Sequence, residues 1–128
     1  MRHVTSPKAP GVGGPYSHAV VSNGLAFLAG QRPVDAETGA IADGVEEQAR
    51  QVLCNLGIVL EELGLGFADV VRTNVYLNDI GAFDAVNRVY REFFSEPFPA
   101  RTTVAVQLRG ILVEIDAIAE LAETASAD

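Results

Sequence analysis

The chain has 128 residues, 48% of them apolar, and 17 Asp and Glu outnumber 9 Lys and Arg for a formal charge of −8. That length fits a single domain over residues 1–128, and that apolar share is enough for a packed core, which excludes a disordered chain. The acidic balance without a basic stripe argues against nucleic acid as a partner, although one local arginine can still hold a small anion.

Cysteine and histidine are scarce. Cys54 is alone, so no intramolecular disulfide can form, and His3 and His18 lack metal-ligand spacing, so no metal site is expected. The opening MRHVTSPKAPGVGGPYS has no apolar signal-peptide region, and no apolar run approaches a membrane span. A cytoplasmic protein without a membrane partner is expected.

In chain order, Pro7, Pro10, Gly11, Gly13, Gly14 and Pro15 break the first segment into turns. The strands HAVVS and LAFLAG follow, joined by Asn23-Gly24, a strong two-residue hairpin signal. PVDAETGAI reads as a loop. Asp43 is placed to cap a helix, with Glu46 in capping-box spacing. Val45, Ala49, Val52, Leu53, Leu56, Val59, Leu60 and Leu63 recur at helical spacing, and Gly64 suits the position after the helix end. DVVRTNVYL reads as a strand with Val71, Thr73, Val75 and Leu77 on one face and Arg72, Asn74 and Tyr76 on the other. Asn78 or Asp79 can cap a second helix, whose stripe is Ile80, Phe83, Val86, Tyr90, Phe93 and Phe94 and which EPFPA ends. RTTVAVQL and LVEIDAIAEL read as a closing hairpin around Arg109-Gly110, and ETASAD as a frayed tail.

The resulting order, β-β-α-β-α-β-β, makes an α+β sandwich: a mostly antiparallel sheet with two helices on one face. Val71, Val75, Leu77, Val104, Val106 and Leu108 are expected on the helix side. Arg72, Asn74, Tyr76, Arg101, Thr103, Ala105 and Gln107 are expected on the other, which is rich in small and apolar groups for a solvated surface. Pattern alone leaves open a closed ring of subunits or a monomer with one wet face. In the last strand Glu114 and Asp116 share a face, so that face is either wet or occupied.

The segments GPYSHAV, FLAGQRPVD, VVRTNVYLNDIGAFDAVNRVYREFF, FPARTTVAV and VEIDAIA stand in the order found in the RidA/YjgF family, the reactive intermediate/imine deaminases also described as endoribonuclease L-PSP-like. From about Pro15 to Ala119 the chain resembles that family. The resemblance implies a chorismate-mutase-like fold and a homotrimer with active sites in the clefts between subunits. It implies hydrolysis of 2-aminoacrylate, 2-aminocrotonate and their imine tautomers to 2-oxo acids and ammonia, with no cofactor. Arg101 matches the carboxylate-binding arginine, whose planar fork suits that group. Glu114 matches the water-activating glutamate, and one carboxyl can serve as base and then acid. Tyr16, Gly30, Gln31 and Thr103 match further substrate-binding positions. Asp116 and Asn87 are expected to make structural contacts.

Simpler readings stand beside these. Arg101 could be a salt-bridge partner of Glu114 or Asp116, Tyr16 a packed aromatic, and Gly30-Gln31 a strand-end turn. The chain also departs from the family pattern: Ala29 stands where a serine is common, Thr103 where a cysteine is common, and Arg32 where a small apolar residue is usual. Arg32 is expected to face solvent; in the cleft it would favour a larger or dianionic substrate. These departures keep alive a second class of function, a non-catalytic trimer that binds small carboxylates. A ribonuclease is disfavoured by the charge.

Overall fold

The computed structural model describes residues 1–122, so the reading of ETASAD as a frayed tail lies outside the described residues. Asn23 and Gly24 both take positive φ, 52° and 76°, as a tight hairpin turn between twisted strands requires. They join β2 (Ala19–Ser22) to β3 (Leu25–Gln31), antiparallel with Ser22 opposite Leu25. The sequence reading missed β1 (Arg2–Val4), which pairs along β2 and is too short to carry a pattern. Buried His18 ties down the chain after it, accepting at Nδ1 from the Ser6 N–H (2.9 Å) and donating from Nε2 to the Pro10 carbonyl (2.8 Å).

Helix α1 (Val45–Glu62) buries Ala49, Val52, Leu53, Leu56, Val59 and Leu60 on one stripe. The capping-box expectation is corrected: Gly44, at φ 82°, is the N-cap and no side chain caps it. Glu46 instead pairs with Arg88 of the second helix at 2.8 Å. The helix end follows the glycine signal. Gly64, at φ 74°, donates to the Glu61 carbonyl, and Leu65 closes back on Leu60. Strand β4 (Val70–Leu77) leads through an Asp79-capped 3-10 turn, Ile80–Ala82, into helix α2 (Phe83–Phe93). On α2 Val86, Val89 and Tyr90 are buried, whereas Ile80 and Phe83 from the expected stripe are exposed.

Strands β5 (Ala100–Ala105) and β6 (Val113–Glu120) do not form the expected hairpin. The sheet runs β1-β2-β3-β6-β4-β5, with β6 antiparallel to β3 and β4, and β5 parallel to β4. Both β5 and β6 meet β4 at Leu77, which lies opposite Ala105 on one side and Val113 on the other. The connection at Arg109-Gly110 therefore steps over the end of β4, held by Val106 N–H to the Leu77 carbonyl and Asn78 N–H to the Leu112 carbonyl. A turn between antiparallel strands was legible; the strand inserted between them was not.

Both helices pack on one face of this mostly antiparallel six-stranded sheet. The face assignment of β5 is the reverse of the expectation. Arg101 lies opposite buried Thr73, and Thr103 opposite buried Val75, so both point to the helix side. Val104 and Val106 are exposed instead. Val71 is exposed too, because an irregularity between Val70 and Arg72 shifts the alternation and buries Val70.

Asn55, fully buried on α1, joins the helix to the chain after β3. Its Nδ2 donates to the carbonyls of Arg32 (3.0 Å) and Val34 (2.9 Å), and its Oδ1 accepts from Gln51. Removing this amide leaves the Val34 carbonyl without the Asn55 donor and the Arg32 carbonyl with the Val34 N–H at 2.8 Å. Asn55→Ala is expected to lower unfolding free energy by about 2–3 kcal/mol, measured by chemical denaturation, in the upper part of the usual point-substitution range.

Candidate active site

Two concavities hold most of the residues singled out from sequence, and they lie apart. The first, of about 270 Å³, sits at the end of β3 and is lined by Gly30, Gln31, Arg32, Tyr16, His18 and the Pro10–Gly13 loop. Gly30 packs against Glu114: a Cβ built on Gly30 would stand 2.5 Å from Glu114 Oε2 and 3.1 Å from its Cδ. Only glycine lets this backbone approach the carboxylate so closely. Tyr16, 48% exposed, accepts the Gly13 N–H at its hydroxyl (3.1 Å). Arg32 does not simply face solvent: it lines this cavity half-buried, and its Nη2 donates to the Arg109 carbonyl at 3.0 Å.

The second concavity, about 390 Å³, lies between β5 and α2 and is lined by Phe83, Asn87, Tyr90, Phe98, Arg101 and Thr103, among others. The half-buried Arg101 donates from Nε to Thr103 Oγ1 (2.8 Å) and from Nη2 to Asn87 Oδ1 (2.6 Å). Its guanidinium carbon stands 4.8 Å from the Tyr90 ring centre and 5.3 Å from that of Phe83, within cation–π range. Tyr90 is fixed in turn by a 2.8 Å hydrogen bond with buried Thr73. Burial lowers the pKa of Arg101, but arginine stays charged. Among the described residues it has no ion pair, so the salt bridge to Glu114 or Asp116 does not form. Two of its five N–H donors are engaged, which leaves three for a ligand.

The two carboxylates of β6 share the sheet's open face in different settings. Asp116 accepts from Asn74 Nδ2 (2.9 Å) and from the Tyr76 hydroxyl (2.8 Å), as expected for a structural group. Glu114 forms no ion pair among the described residues, and no hydrogen bond is among the influences on its carboxyl. Burial raises its pKa above the ordinary carboxylate value; the Arg32 charge counters this and the Asp116 charge adds to it.

Within one protomer Arg101 and Glu114 do not meet. Thr73 of β4 stands opposite Arg101 and Tyr76 opposite Glu114, on alternate faces of the sheet. Two strand spacings, about 10 Å, and three residues along the strand, about another 10 Å, separate them. The structure thus groups Tyr16, Gly30 and Gln31 in one cavity, of which Gly30 adjoins Glu114, and groups Thr103 with Arg101. Phe83, Asn55 and His18 were not seen as site-shaping residues. Phe83 carried only a core signal, and a lone Asn or His carries none. Among the described residues no group of His, Cys, Asp and Glu could hold a metal, and no helix is long and apolar enough to cross a membrane.

Comparison with known proteins defines the class. The family model described as endoribonuclease L-PSP matches residues 6–121, so the chain belongs to that family, the RidA/YjgF family whose motifs it carries. A RutC family protein of Synechocystis sp. is 44% identical over 94% of this chain and 97% of its own length. The 2-iminobutanoate/2-iminopropanoate deaminase of Homo sapiens is 40% identical over 92% of this chain and 88% of its own. The crystal structure of E. coli TdcF with bound serine matches with a TM-score of 0.89 at 33% identity, covering 95% of this chain and all of that one.

The raised pKa of Glu114 has a stability consequence. A carboxyl held above its unfolded value favours the fold below the ordinary carboxylate range, and that contribution is lost as pH rises through the raised value. Glu114→Gln is therefore expected to melt higher than the parent at pH 7. The gap should close in acid below the ordinary carboxylate range. A melting temperature that falls at neutral pH would show that Glu114 is held by a favourable partner instead.

Proposed function

We propose that this protein hydrolyses small 2-imino acids to 2-oxo acids and ammonia, in a homotrimer where Arg101 of one copy faces Glu114 and Gly30 of the next. The observation that carries the reading is Arg101: a half-buried guanidinium held by neutral groups, with no acidic partner among the described residues. A site of this kind receives a carboxylate from outside the protomer, in bidentate geometry. The deaminase name of the human relative and the serine, itself a carboxylate, in TdcF support the same class of ligand. Assembly through the open sheet face is supported by Phe27, 43% exposed, and Val104, 39% exposed, which would be covered there.

In the proposed reaction Arg101 holds the carboxylate, which places the adjacent C=N carbon near Glu114. Glu114 takes a proton from water as its oxygen bonds to that carbon, and passes the proton to the nitrogen. Glu114 then takes the remaining proton of the new hydroxyl and delivers it to the amine, so that the C–N bond breaks, ammonia leaves and the carbonyl forms. The raised pKa of Glu114 suits a group that must both accept and return a proton. A net charge of −8 leaves little phosphate attraction for the ribonuclease that the family description names.

Imines generated in situ by an amino-acid oxidase provide the test, with ammonia release as readout. Glu114→Gln is expected to lose about 10²–10⁴-fold in kcat. Arg101→Gln is expected to lose about 10–100-fold in kcat/KM, mostly through KM. Both should keep the parent's oligomeric state. If the parent binds 2-oxo acids yet accelerates no imine hydrolysis, the protein is a carboxylate binder and not an enzyme.

Parent activity should fall on the acid side at a pH above the ordinary carboxylate range, as Glu114 takes up its proton. An acid limb that stays in Glu114→Gln at residual activity would assign the titration to another group. Gly30→Ala is expected to lower kcat at least about tenfold by displacing the Glu114 carboxylate, with a melting temperature close to the parent's, since the obstructed atoms end a flexible side chain.

A further inference from the structure

The cavity lined by Gly30 adjoins the Glu114 carboxylate that is proposed to act on the C=N carbon. With a carboxylate on Arg101 and the C=N carbon at Glu114, the substituent on that carbon is left to enter this cavity, because Gly30 is both the neighbour of Glu114 and part of its lining. Arg32, two residues beyond Gly30, is the only lysine or arginine lining it.

Arg32 is positioned from two directions. Asn55 holds its backbone carbonyl at 3.0 Å, and the Arg109 carbonyl accepts from its Nη2 at 3.0 Å. Among the described residues it forms no ion pair, and that one hydrogen bond leaves four of its five N–H donors. The other charged or titratable groups in the lining are engaged. Asp35 Oδ1 accepts from the N–H groups of Glu37 (2.8 Å) and Thr38 (3.0 Å), His18 is locked between Ser6 and Pro10, and the Tyr16 hydroxyl takes the Gly13 N–H. One oriented cation thus stands in the lining of this cavity without an ion pair among the described residues.

We infer that Arg32 receives a second acidic group at the far end of the substrate, so that this chain prefers imino dicarboxylic acids over imino acids with a short alkyl tail. The inference rests on the proposed deaminase reading and names its substrate class. The Arg32 charge also opposes the rise that burial imposes on the Glu114 pKa, so a second carboxylate that neutralises it would let that pKa rise further. A site that pairs its cation with a charged group on one substrate favours that substrate over one without the group, which leaves those N–H donors unused.

The test compares the product analogues 2-oxoglutarate and 2-oxobutyrate by titration calorimetry against the full-length parent, Arg32→Ile, Arg32→Lys and Arg101→Gln. The parent should bind the diacid about 10–100-fold tighter than the monoacid. Arg32→Ile should erase that ratio through loss of diacid affinity, with monoacid affinity within about twofold of the parent, and Arg32→Lys should keep part of it. The kcat/KM values for the imines of glutamate and 2-aminobutyrate, made in situ, should shift in the same ratio. A diacid-to-monoacid ratio that is equal in the parent and Arg32→Ile, while Arg101→Gln weakens monoacid binding about 10–100-fold, would overturn the role of Arg32 and leave the deaminase reading standing. Failure of the parent to bind either acid and to turn over either imine would overturn both.

Discussion

Strand β6 is hydrogen-bonded along both edges, to β3 on one side and β4 on the other, and that double register sets the position of everything else in the site. Val113, Ile115, Ala117 and Ala119 are buried on its helix side. A slip of one residue would turn those four to the open face and bring Glu114 and Asp116 into the core, so the register is strongly specified. With it fixed, Glu114 stands opposite Tyr76 and against Gly30, and Asp116 stands opposite Asn74. The placement of the Glu114 carboxylate thus follows from the packing of its apolar neighbours.

The same strand shows how two identical functional groups can be given different work. Asp116 is held by an amide and a phenol, and its effect is seen on Tyr76, whose pKa rises because the hydroxyl donates to that carboxylate. Glu114, two residues away on the same face, has no hydrogen-bond donor among the described residues, and burial raises its pKa. A carboxyl left in this state is the one suited to exchange protons, because neither of its charge states is locked by a partner.

What could be read from the sequence follows the range of the interactions involved. The Asn23-Gly24 turn, the buried stripe of α1, its glycine end and the split faces of β6 are local patterns, and all are present. The readings that failed depend on partners far along the chain. The β5–β6 turn looks like a hairpin until β4 is inserted between its arms. Arg101 looks like a residue of the open face until its parallel pairing with Thr73 turns it toward α2. Even the helix cap turns on a distant contact, since Glu46 is drawn to Arg88. The motif residues themselves were legible through resemblance, but their division between two concavities was not, because motif order carries no information about which face a side chain takes.

That division leaves each protomer, among the described residues, with a cation on one edge and an anion on the opposite face that lack ion-pair partners. Each costs stability in the isolated protomer, because both groups are partly desolvated without the pairing that would offset it. If assembly brought Arg101 and Glu114 into direct contact, the two would neutralise each other and the cleft would be closed to ligand. Asn87, Thr103 and the Tyr90 and Phe83 rings act against this by holding the guanidinium toward α2, while Gly30 holds the carboxylate against β3. In the proposed assembly the charges stay separated, and the gap between them suits a small molecule with a carboxylate at one end and a basic nitrogen on the next carbon. The substrate then supplies to each protomer the partner its own fold withholds, which is why strength of binding and readiness to react can arise from the same two unsatisfied groups.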